Sequence, residues 1–170
     1  QPGLTAPASA VRVNSNVRHH MPSFLTRPAS NADLQLTFEI TMDAMLGYVE
    51  QTWGAWNEEE QREKHQQNFV PETHRILLVN NAEAGLMVTE LEPEYVWLVK
   101  LYLLGQFRNQ GLGSTVLQQV IEEANELGKS VRLRVLKVNT AAQRLYARHG
   151  FQVVGEEPER IFMVRKHGDA

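Results

Sequence analysis

The sequence lacks cysteine entirely: none of its 170 residues is one. This absence excludes disulfide bonds, thiolate ligands for zinc and cysteine nucleophiles. It also suits a reducing compartment, so we expect a cytoplasmic protein. We predict that the protein binds no metal.

The sequence also has no long hydrophobic run. No segment approaches the ~20 apolar residues of a membrane span, and residues 1–20 lack the apolar centre of a secretory signal. An excess of one charge is missing too, because 17 basic and 20 acidic side chains give a net charge of −3. We therefore expect neither a membrane nor a nucleic acid as a partner, since nucleic-acid binding needs a broad basic surface.

The length and an apolar share of 42% fit one domain with a sizeable core. Residues 1–22 are rich in Pro, Ala, Ser and Asn, which predicts a flexible N-terminal arm. Met21 is a suitable natural start, so the residues before it are either native or derived from an expression vector. Residues 23–170 are expected to form a single domain.

The hydrophobic periodicity predicts a mixed α/β domain. Asn57 is a good cap for a charged helix, Asn80-Asn81 is typical of a hairpin turn, and the apolar run 95–104 predicts a central strand buried on both faces. Thr52–Trp56 is interpreted as a connection. The predicted elements are strand 23–27, a helix from Ser30 or Asn31, helix 58–69, strands 75–79, 85–90 and 95–104, helix 112–127, strand 130–138, helix 140–149, and strands 151–155 and 161–165.

A glycine-containing segment, Arg108-Asn109-Gln110-Gly111-Leu112-Gly113, joins a predicted strand to a predicted helix. The first amides of a helix lack internal acceptors and favour negative charge, and glycine allows a ligand to approach the backbone. The segment is neither GxGxxG nor GK[ST], which excludes the common dinucleotide and nucleoside-triphosphate loops. Taken alone, it is either a phosphate-binding turn or a simple tight connection.

A second motif follows this segment along the chain. Asn139, Ala142, Leu145 and Tyr146, with Gly150-Phe151, match NxxAxxLYxxxGF at each defined position, and Arg108–Gly113 matches [QR]xxGx[GA]. With this pair of motifs, and with its element order from about 23 to 166, the chain resembles the GNAT superfamily of N-acetyltransferases. The resemblance implies a mainly antiparallel central sheet flanked by helices, with strands 4 and 5 splayed into a V.

The resemblance also implies how acetyl-coenzyme A would be held. Backbone groups of Leu101, Tyr102 and Leu103 would pair with the pantetheine arm, and the turn would hold the pyrophosphate. Gly105 departs from the family, which often has proline there, and Asn109 stands where glycine is common. The pyrophosphate-binding residues would be Arg108, Asn109, Gln110, Gly111, Leu112, Gly113 and Ser114, with Asn139 nearby.

The implied reaction is direct attack of a primary amine on the thioester. Tyr146 would protonate the departing thiolate, although a core aromatic with a satisfied hydroxyl is the alternative interpretation. Asn139 would fix groups beside the slot or simply start a turn. Glu90 is a candidate base, Lys100 is an unusual charge within an apolar strand, and many relatives use ordered water instead.

The acceptor is expected to be a small-molecule or peptide amine. Trp53 and Trp56 would line its site, unless they are core residues that anchor a loop. The net charge and the Glu-rich helix at Glu58–Glu60 favour a basic acceptor. Alternatives are a non-catalytic acyl-CoA sensor and an acyltransferase that uses another acyl-CoA donor. A homodimer is also conceivable, since the family often dimerises.

Overall fold

The structure, a computed structural model, describes residues 22–169. The arm predicted at 1–22 therefore lies outside the described residues, except for Pro22. Within the described part, no helix is long and apolar enough to cross a membrane. Three short 3-10 turns, at Asn31–Asp33, Pro71–Thr73 and Gly105–Phe107, connect the main elements. The helices and strands are β1 (Leu25–Pro28), α1 (Leu34–Trp53), α2 (Glu58–Asn68), β2 (His74–Val79), β3 (Ala82–Leu91), β4 (Tyr95–Leu103), α3 (Leu112–Glu126), β5 (Ser130–Leu136), α4 (Thr140–Arg148), β6 (Gln152–Glu156) and β7 (Arg160–Arg165).

The strands form one seven-stranded sheet in the order β1-β2-β3-β4-β5-β7-β6. Every neighbouring pair is antiparallel except β4 and β5, which run parallel. The crossover between these parallel strands is α3, as parallel pairing requires. The mixed, mainly antiparallel sheet and its flanking helices confirm the predicted fold class.

Each face of the sheet has its own hydrophobic cluster. On one face, α3 packs through Val116, Leu117 and Ile121 against buried residues such as Leu98 and Leu133. On the other, α1 covers the first half of the sheet, where Ile40 meets Ile76, Leu86 and Val88. We call these the α3 face and the α1 face. On the α1 face of β5, the side chains of Arg132 and Arg134 are exposed.

The parallel strands diverge soon after they begin. β4 pairs with β5 only at Tyr95↔Ser130, Val96↔Val131 and Trp97↔Arg132. Next to this point β4 bulges, because Val88↔Lys100 is followed by Thr89↔Leu98 and Val99 has no partner on β3. Among residues 22–169, the remainder of β4, residues 98–103, therefore has no strand partner on its β5 side. This V-shaped opening is the splay that the sequence resemblance implied.

The predicted element order is confirmed, and most boundaries agree within a few residues. Asn57 caps α2 by accepting a hydrogen bond from the Glu60 amide at 3.1 Å. Two predictions were wrong. α1 continues through Gly47 to Trp53, so the expected connection from Thr52 is partly helical. β4 is not buried on both faces: only Val96 and Leu98 are buried, because the rest of the strand borders the opening.

Candidate active site

A cleft of about 1030 Å³ occupies the V-shaped opening. Its walls come from α1, α2, β4, the turn before α3, β5, α4 and the start of β7. Of the residues selected from the sequence, most line this one cleft although they are far apart in the chain. They are Trp53, Trp56, Leu101, Tyr102, Leu103, Arg108, Asn109, Gly111, Gly113, Ser114, Asn139 and Tyr146. Glu90, Gln110 and Leu112 are not among the lining residues.

The turn before α3 has the backbone that its sequence requires. Gly111 lies in the left-handed region at φ 82° and Asn109 at φ 61°, a conformation that Asn tolerates better than most residues. The first bond of α3 runs from the Thr115 amide to the Gly111 carbonyl at 3.1 Å. The amides of residues 112–114 therefore precede the helical ladder and have no acceptor within it.

Three side chains of this turn make contacts within the protein. Leu112 is buried in the core under the sheet, so only its backbone can contribute to the turn. The Gln110 side chain donates back to the Gln106 carbonyl at 2.7 Å. Arg108 forms an ion pair with Asp43 of α1, while its Nε is buried and has no acceptor among the described residues. The turn is thus tethered to α1 through Asp43.

The side chains of β4 alternate between the two faces of the sheet. Leu101 and Leu103 pack into the α3-face cluster, whereas Tyr102 packs on the α1 face. Lys100 pairs with Val88, so it also points to the α1 face, where it is half-buried and lines the cleft. Burial lowers the pKa of Lys100 and raises that of Tyr102. The unusual charge in this apolar strand therefore faces the cleft.

Tyr146 projects from α4 into the same cleft. Its ring packs against Phe151 with centroids 5.7 Å apart, and burial raises the pKa of its phenol to about 12. The phenol consequently keeps its proton at any ordinary pH. Asn139 starts α4 by accepting a hydrogen bond from the Ala142 amide at 3.1 Å. Asn139 thus positions the helix that carries Tyr146, and it borders the cleft as well.

The candidate acceptor-site and base residues differ in whether they reach the cleft. Trp53 is 52% exposed, which removes it from the core, and Trp56 is half-buried with an indole N–H that has no acceptor among residues 22–169. Glu90 is exposed on β3 and does not line the cleft, so its position gives no support to a base role. Of the acidic run on α2, Glu60 reaches the cleft, where it pairs with Lys64 at 3.1 Å.

Sequence reasoning missed two side chains of the cleft lining and one residue beside it. Tyr102 was considered only for its backbone, and Arg160 was not considered. Asp43, which does not line the cleft itself but holds Arg108, was not considered either. Arg160 lies over the Trp53 ring, 5.1 Å from its centroid, and its charge partly offsets the raised pKa of Tyr102. No local motif marks these residues, because strand register and helix packing bring them to the cleft.

The comparison with protein families identifies the scaffold. The family described as "Acetyltransferase (GNAT) family" matches residues 37–151, which contain both motifs. The chain belongs to the GNAT family of acetyltransferases. Among curated relatives, the spermine/spermidine N(1)-acetyltransferase of Bacillus subtilis is 35% identical over 82 residues, 42% of this chain and 54% of that protein. The chain thus spans about half the length of the curated relatives it matches.

Solved GNAT structures share the whole fold at low identity. PaiA N-acetyltransferase from Thermoplasma acidophilum, determined in complex with coenzyme A, is 18% identical with a TM-score of 0.68, covering 85% of this chain and 99% of that one. The ribosomal-protein-S18-alanine N-acetyltransferase from Escherichia coli is 19% identical with a TM-score of 0.61, covering 87% and 96%. At these identities the comparison shows the GNAT fold and leaves the acceptor open.

Proposed function

We propose that this GNAT protein transfers an acetyl group from acetyl-CoA to the primary amine of an acceptor, by direct attack of the amine on the thioester. One observation carries the proposal. Tyr146, with a pKa raised to about 12, lines the same cleft as the turn before α3 and the unpaired stretch of β4. An acid, a phosphate-binding turn and a free strand edge are the parts that this reaction needs.

The cleft fits the proposed donor in several respects. Residues 98–103 of β4 have a free edge on which an extended, amide-containing arm could form strand-like hydrogen bonds. The amides of 112–114 and the left-handed Gly111 offer a backbone cradle for phosphate. The buried Nε of Arg108, without an acceptor in the described chain, supplies a further donor for an anion.

Proton transfer is assigned to Tyr146. The donor supplies a thioester whose leaving thiolate resembles that of cysteine, with a pKa of about 8.5, and it needs a proton as it departs. The Tyr146 phenol carries its proton at neutral pH and lines the cleft, so it is available to donate to the thiolate. The raised pKa does not make it a stronger acid, so the role rests on its position. Asn139 supports this role indirectly, because its side chain fixes the first turn of α4.

No carboxylate is placed to act as a dedicated base. Glu60, the carboxylate of the described cleft lining, is engaged by Lys64, and Glu90 lies outside the cleft. We therefore assign deprotonation of the acceptor ammonium to water in the open cleft. The curated relatives are named as acetyltransferases of spermine or spermidine, and these names support an amine acceptor in general.

Thiol release tests the proposal directly. Purified protein is incubated with acetyl-CoA and a panel of amines comprising amino acids, amino-acid amides, spermidine and short peptides, and free coenzyme A is measured. Thermal shifts with acetyl-CoA, coenzyme A and ATP are measured in parallel. We expect stabilisation by both CoA species but not by ATP, and thiol release with at least one amine. Absence of stabilisation by either CoA species would overturn the proposal, and binding without turnover across the panel would favour the sensor.

The choice of acyl donor is tested in the same assay. Succinyl-CoA and a longer acyl-CoA replace acetyl-CoA at matched concentrations with the best amine of the panel. We expect acetyl-CoA to give the highest kcat/KM. A higher value for either alternative would correct the donor while leaving the acyl-transfer mechanism in place.

A further inference from the structure

The α1 face of the sheet presents a row of cations to the cleft. Lys100 on β4, Arg134 on β5 and Arg160 on β7 all line it. The strand register places all three on the α1 face. Lys100 pairs with Val88 of the α1-face cluster, and Arg134 lies between Leu133 and Val135, which point to the α3 face. Arg160 pairs with Leu136, which is two residues beyond Arg134 on β5 and therefore on the same face. Three strands thus contribute a positive side chain to the same wall.

These cations have no counterions in the described chain. None of Lys100, Arg134 and Arg160 forms an ion pair with a carboxylate among residues 22–169. Glu60 is the carboxylate in the described lining, and Lys64 already neutralises it. Glu90 lies on the same sheet face but is outside the cleft. The wall therefore carries uncompensated positive charge where solvent is partly excluded, and this charge attracts anions.

Two of these cations lie on the side of the cleft that the acceptor would occupy. Arg160 covers the ring of Trp53 at 5.1 Å, next to the end of α1. Lys100 extends from β4 on the α1 face, and its charge adds to the effect of burial in lowering the pKa values of His65 and His74. The turn that fits phosphates is at the start of α3, which packs on the opposite face. Arg160 and Lys100 are thus placed for the acceptor.

We propose that the acceptor is an amine that also carries a carboxylate or a comparable anion, held by Arg160 and Lys100 beside Trp53. This inference rests on the proposed acetyltransferase function and names the class of acceptor. A polyamine would bring two or more further positive charges to a wall that already has three. An amino acid brings an amine to be acetylated and a carboxylate to pair with the arginine, and such charge-assisted bonds are strong.

The inference reverses an expectation from composition. A net charge of −3 and the acidic start of α2 favoured a basic acceptor. Glu58, however, is exposed and pairs with Arg62, so its negative charge is neutralised outside the cleft. The charge that selects a substrate is the local one, because exposed charges beyond about 10 Å are screened by salt. An anion-bearing acceptor also differs from the polyamines in the names of the curated relatives.

Matched pairs of amines test the acceptor class. With saturating acetyl-CoA, kcat/KM is measured for glycine, L-methionine, L-phenylalanine and L-glutamate, each against its α-amide, for phosphoethanolamine against ethanolamine, and for spermidine. We expect at least one acid to exceed its amide about tenfold or more, and spermidine to rank below it. The phosphoethanolamine pair distinguishes a phosphate from a carboxylate. Turnover in which amides or spermidine equal or exceed every acid would overturn the inference and leave the proposed function standing.

Charge variants connect the preference to the named residues. Arg160→Gln and Lys100→Met are each expected to reduce the acid-to-amide ratio of kcat/KM at least fivefold, mainly through KM of the acid, and Arg160→Lys is expected to restore part of it. Arg132→Gln is the matched control, because Arg132 lies on the same face but outside the cleft lining. An unchanged ratio in Arg160→Gln and Lys100→Met would overturn the inference. Unchanged affinity for acetyl-CoA in both variants shows that the donor site is intact.

A pH titration followed by NMR tests acceptor binding even if no amine of the panel is acetylated. The His65 and His74 ring resonances are titrated with pH in the coenzyme A complex, with and without each amino acid or its amide. Burial is the main cause of the lowered pKa values of His65 and His74, and the charge of Lys100 adds to it. A carboxylate seated at Lys100 would cancel this added part, so we expect both pKa values to rise partway with an acid and not with its amide. No difference between acid and amide for every pair would overturn the inference.

Discussion

Arg108 of the turn before α3 is paired with Asp43, a residue 65 positions earlier on α1. The same carboxylate accepts a hydrogen bond from the Gly105 amide at 3.0 Å. Proline, which relatives often have at this position, has no amide hydrogen to donate. The departure from the family pattern at Gly105 therefore coincides with an added tether between the turn and α1.

This pairing predicts opposite effects on the affinity for acetyl-CoA. Arg108→Gln is expected to raise KM for acetyl-CoA several-fold with kcat nearly unchanged, the pattern of lost uniform binding. Asp43→Asn keeps an oxygen for the Gly105 amide but releases the Arg108 charge, so we expect KM to fall, most clearly at low salt. Steady-state kinetics at two ionic strengths check both. A lower KM in Arg108→Gln would contradict the assignment.

Tyr146→Phe removes the proposed acid while keeping the ring in place. We expect kcat to fall by roughly a hundredfold, a common effect for general acids, with KM for acetyl-CoA changed by less than about threefold. Tyr102→Phe is the matched variant, because both phenols face the cleft, and it is expected to keep kcat within about threefold of wild type. The reverse ranking would assign the proton to Tyr102.

Gly85 on β3 is paired with Leu103, in the segment of β4 that borders the cleft. A Cβ at this position would lie 2.2 Å from the Tyr102 carbonyl oxygen, and that atom belongs to the backbone. Gly85→Ala must therefore push β3 and β4 apart, and we expect it to lower the free energy of unfolding by about 1–3 kcal/mol and to raise KM for acetyl-CoA. Chemical denaturation and kinetics provide the two measurements.

Gly47 provides the control for that substitution. It lies inside α1, and within the described chain a Cβ built there has nothing within 4 Å apart from its chain neighbours and the adjacent backbone of the helix. Gly47→Ala is expected to stabilise the protein by about 0.5–1 kcal/mol, since alanine loses less backbone entropy in a helix. Equal unfolding free energies for wild type and Gly85→Ala would refute the close approach of the two strands.

His65 predicts how stability depends on pH. Burial, the charge of Lys100 and His74 lower the pKa of His65 to about 4, and its Nε2 is 2.8 Å from the Thr37 hydroxyl. Because the folded pKa lies below the unfolded value of 6.5, the unfolded chain binds more protons between these values. His65 thus leaves the free energy of unfolding unchanged above about pH 6.5. As the pH drops, protonation of His65 in the unfolded chain lowers this free energy, by roughly 2 kcal/mol at pH 5.

Urea unfolding between pH 4.5 and 7.5 measures this effect. His65→Gln is expected to reduce the slope of the pH profile over that window, while the part that remains belongs to His74 and His149, whose pKa values burial also lowers. His167→Gln, at an exposed position near the C-terminus, should leave the profile unchanged. Asp33, whose pKa is lowered to about 2 by its hydrogen bond to Arg27, loses its contribution only as pH falls below about 4. An equally steep profile in His65→Gln would show that His65 is not the titrating group.

Local signals in the sequence were sufficient for the elements and for the turn. Asn57, Asn80-Asn81 and Gly111 stand at a cap, a hairpin turn and a left-handed position, and each was identifiable because these conformations favour particular residues. The burial of β4 was mispredicted for a physical reason. An apolar run looks alike in the sequence whether a second strand or an open cleft borders it.

The turn at Arg108–Gly113 and the segment from Asn139 to Phe151 were determined by the sequence itself, since each works through its own backbone geometry and local contacts. The tertiary structure alone decided which charges surround the acceptor. Lys100, Arg134 and Arg160 lie on three strands, and only the register of the sheet and the divergence of β4 from β5 bring them to one wall without a carboxylate partner in the described chain. Pairing across strands is a long-range property, and no local pattern encodes it.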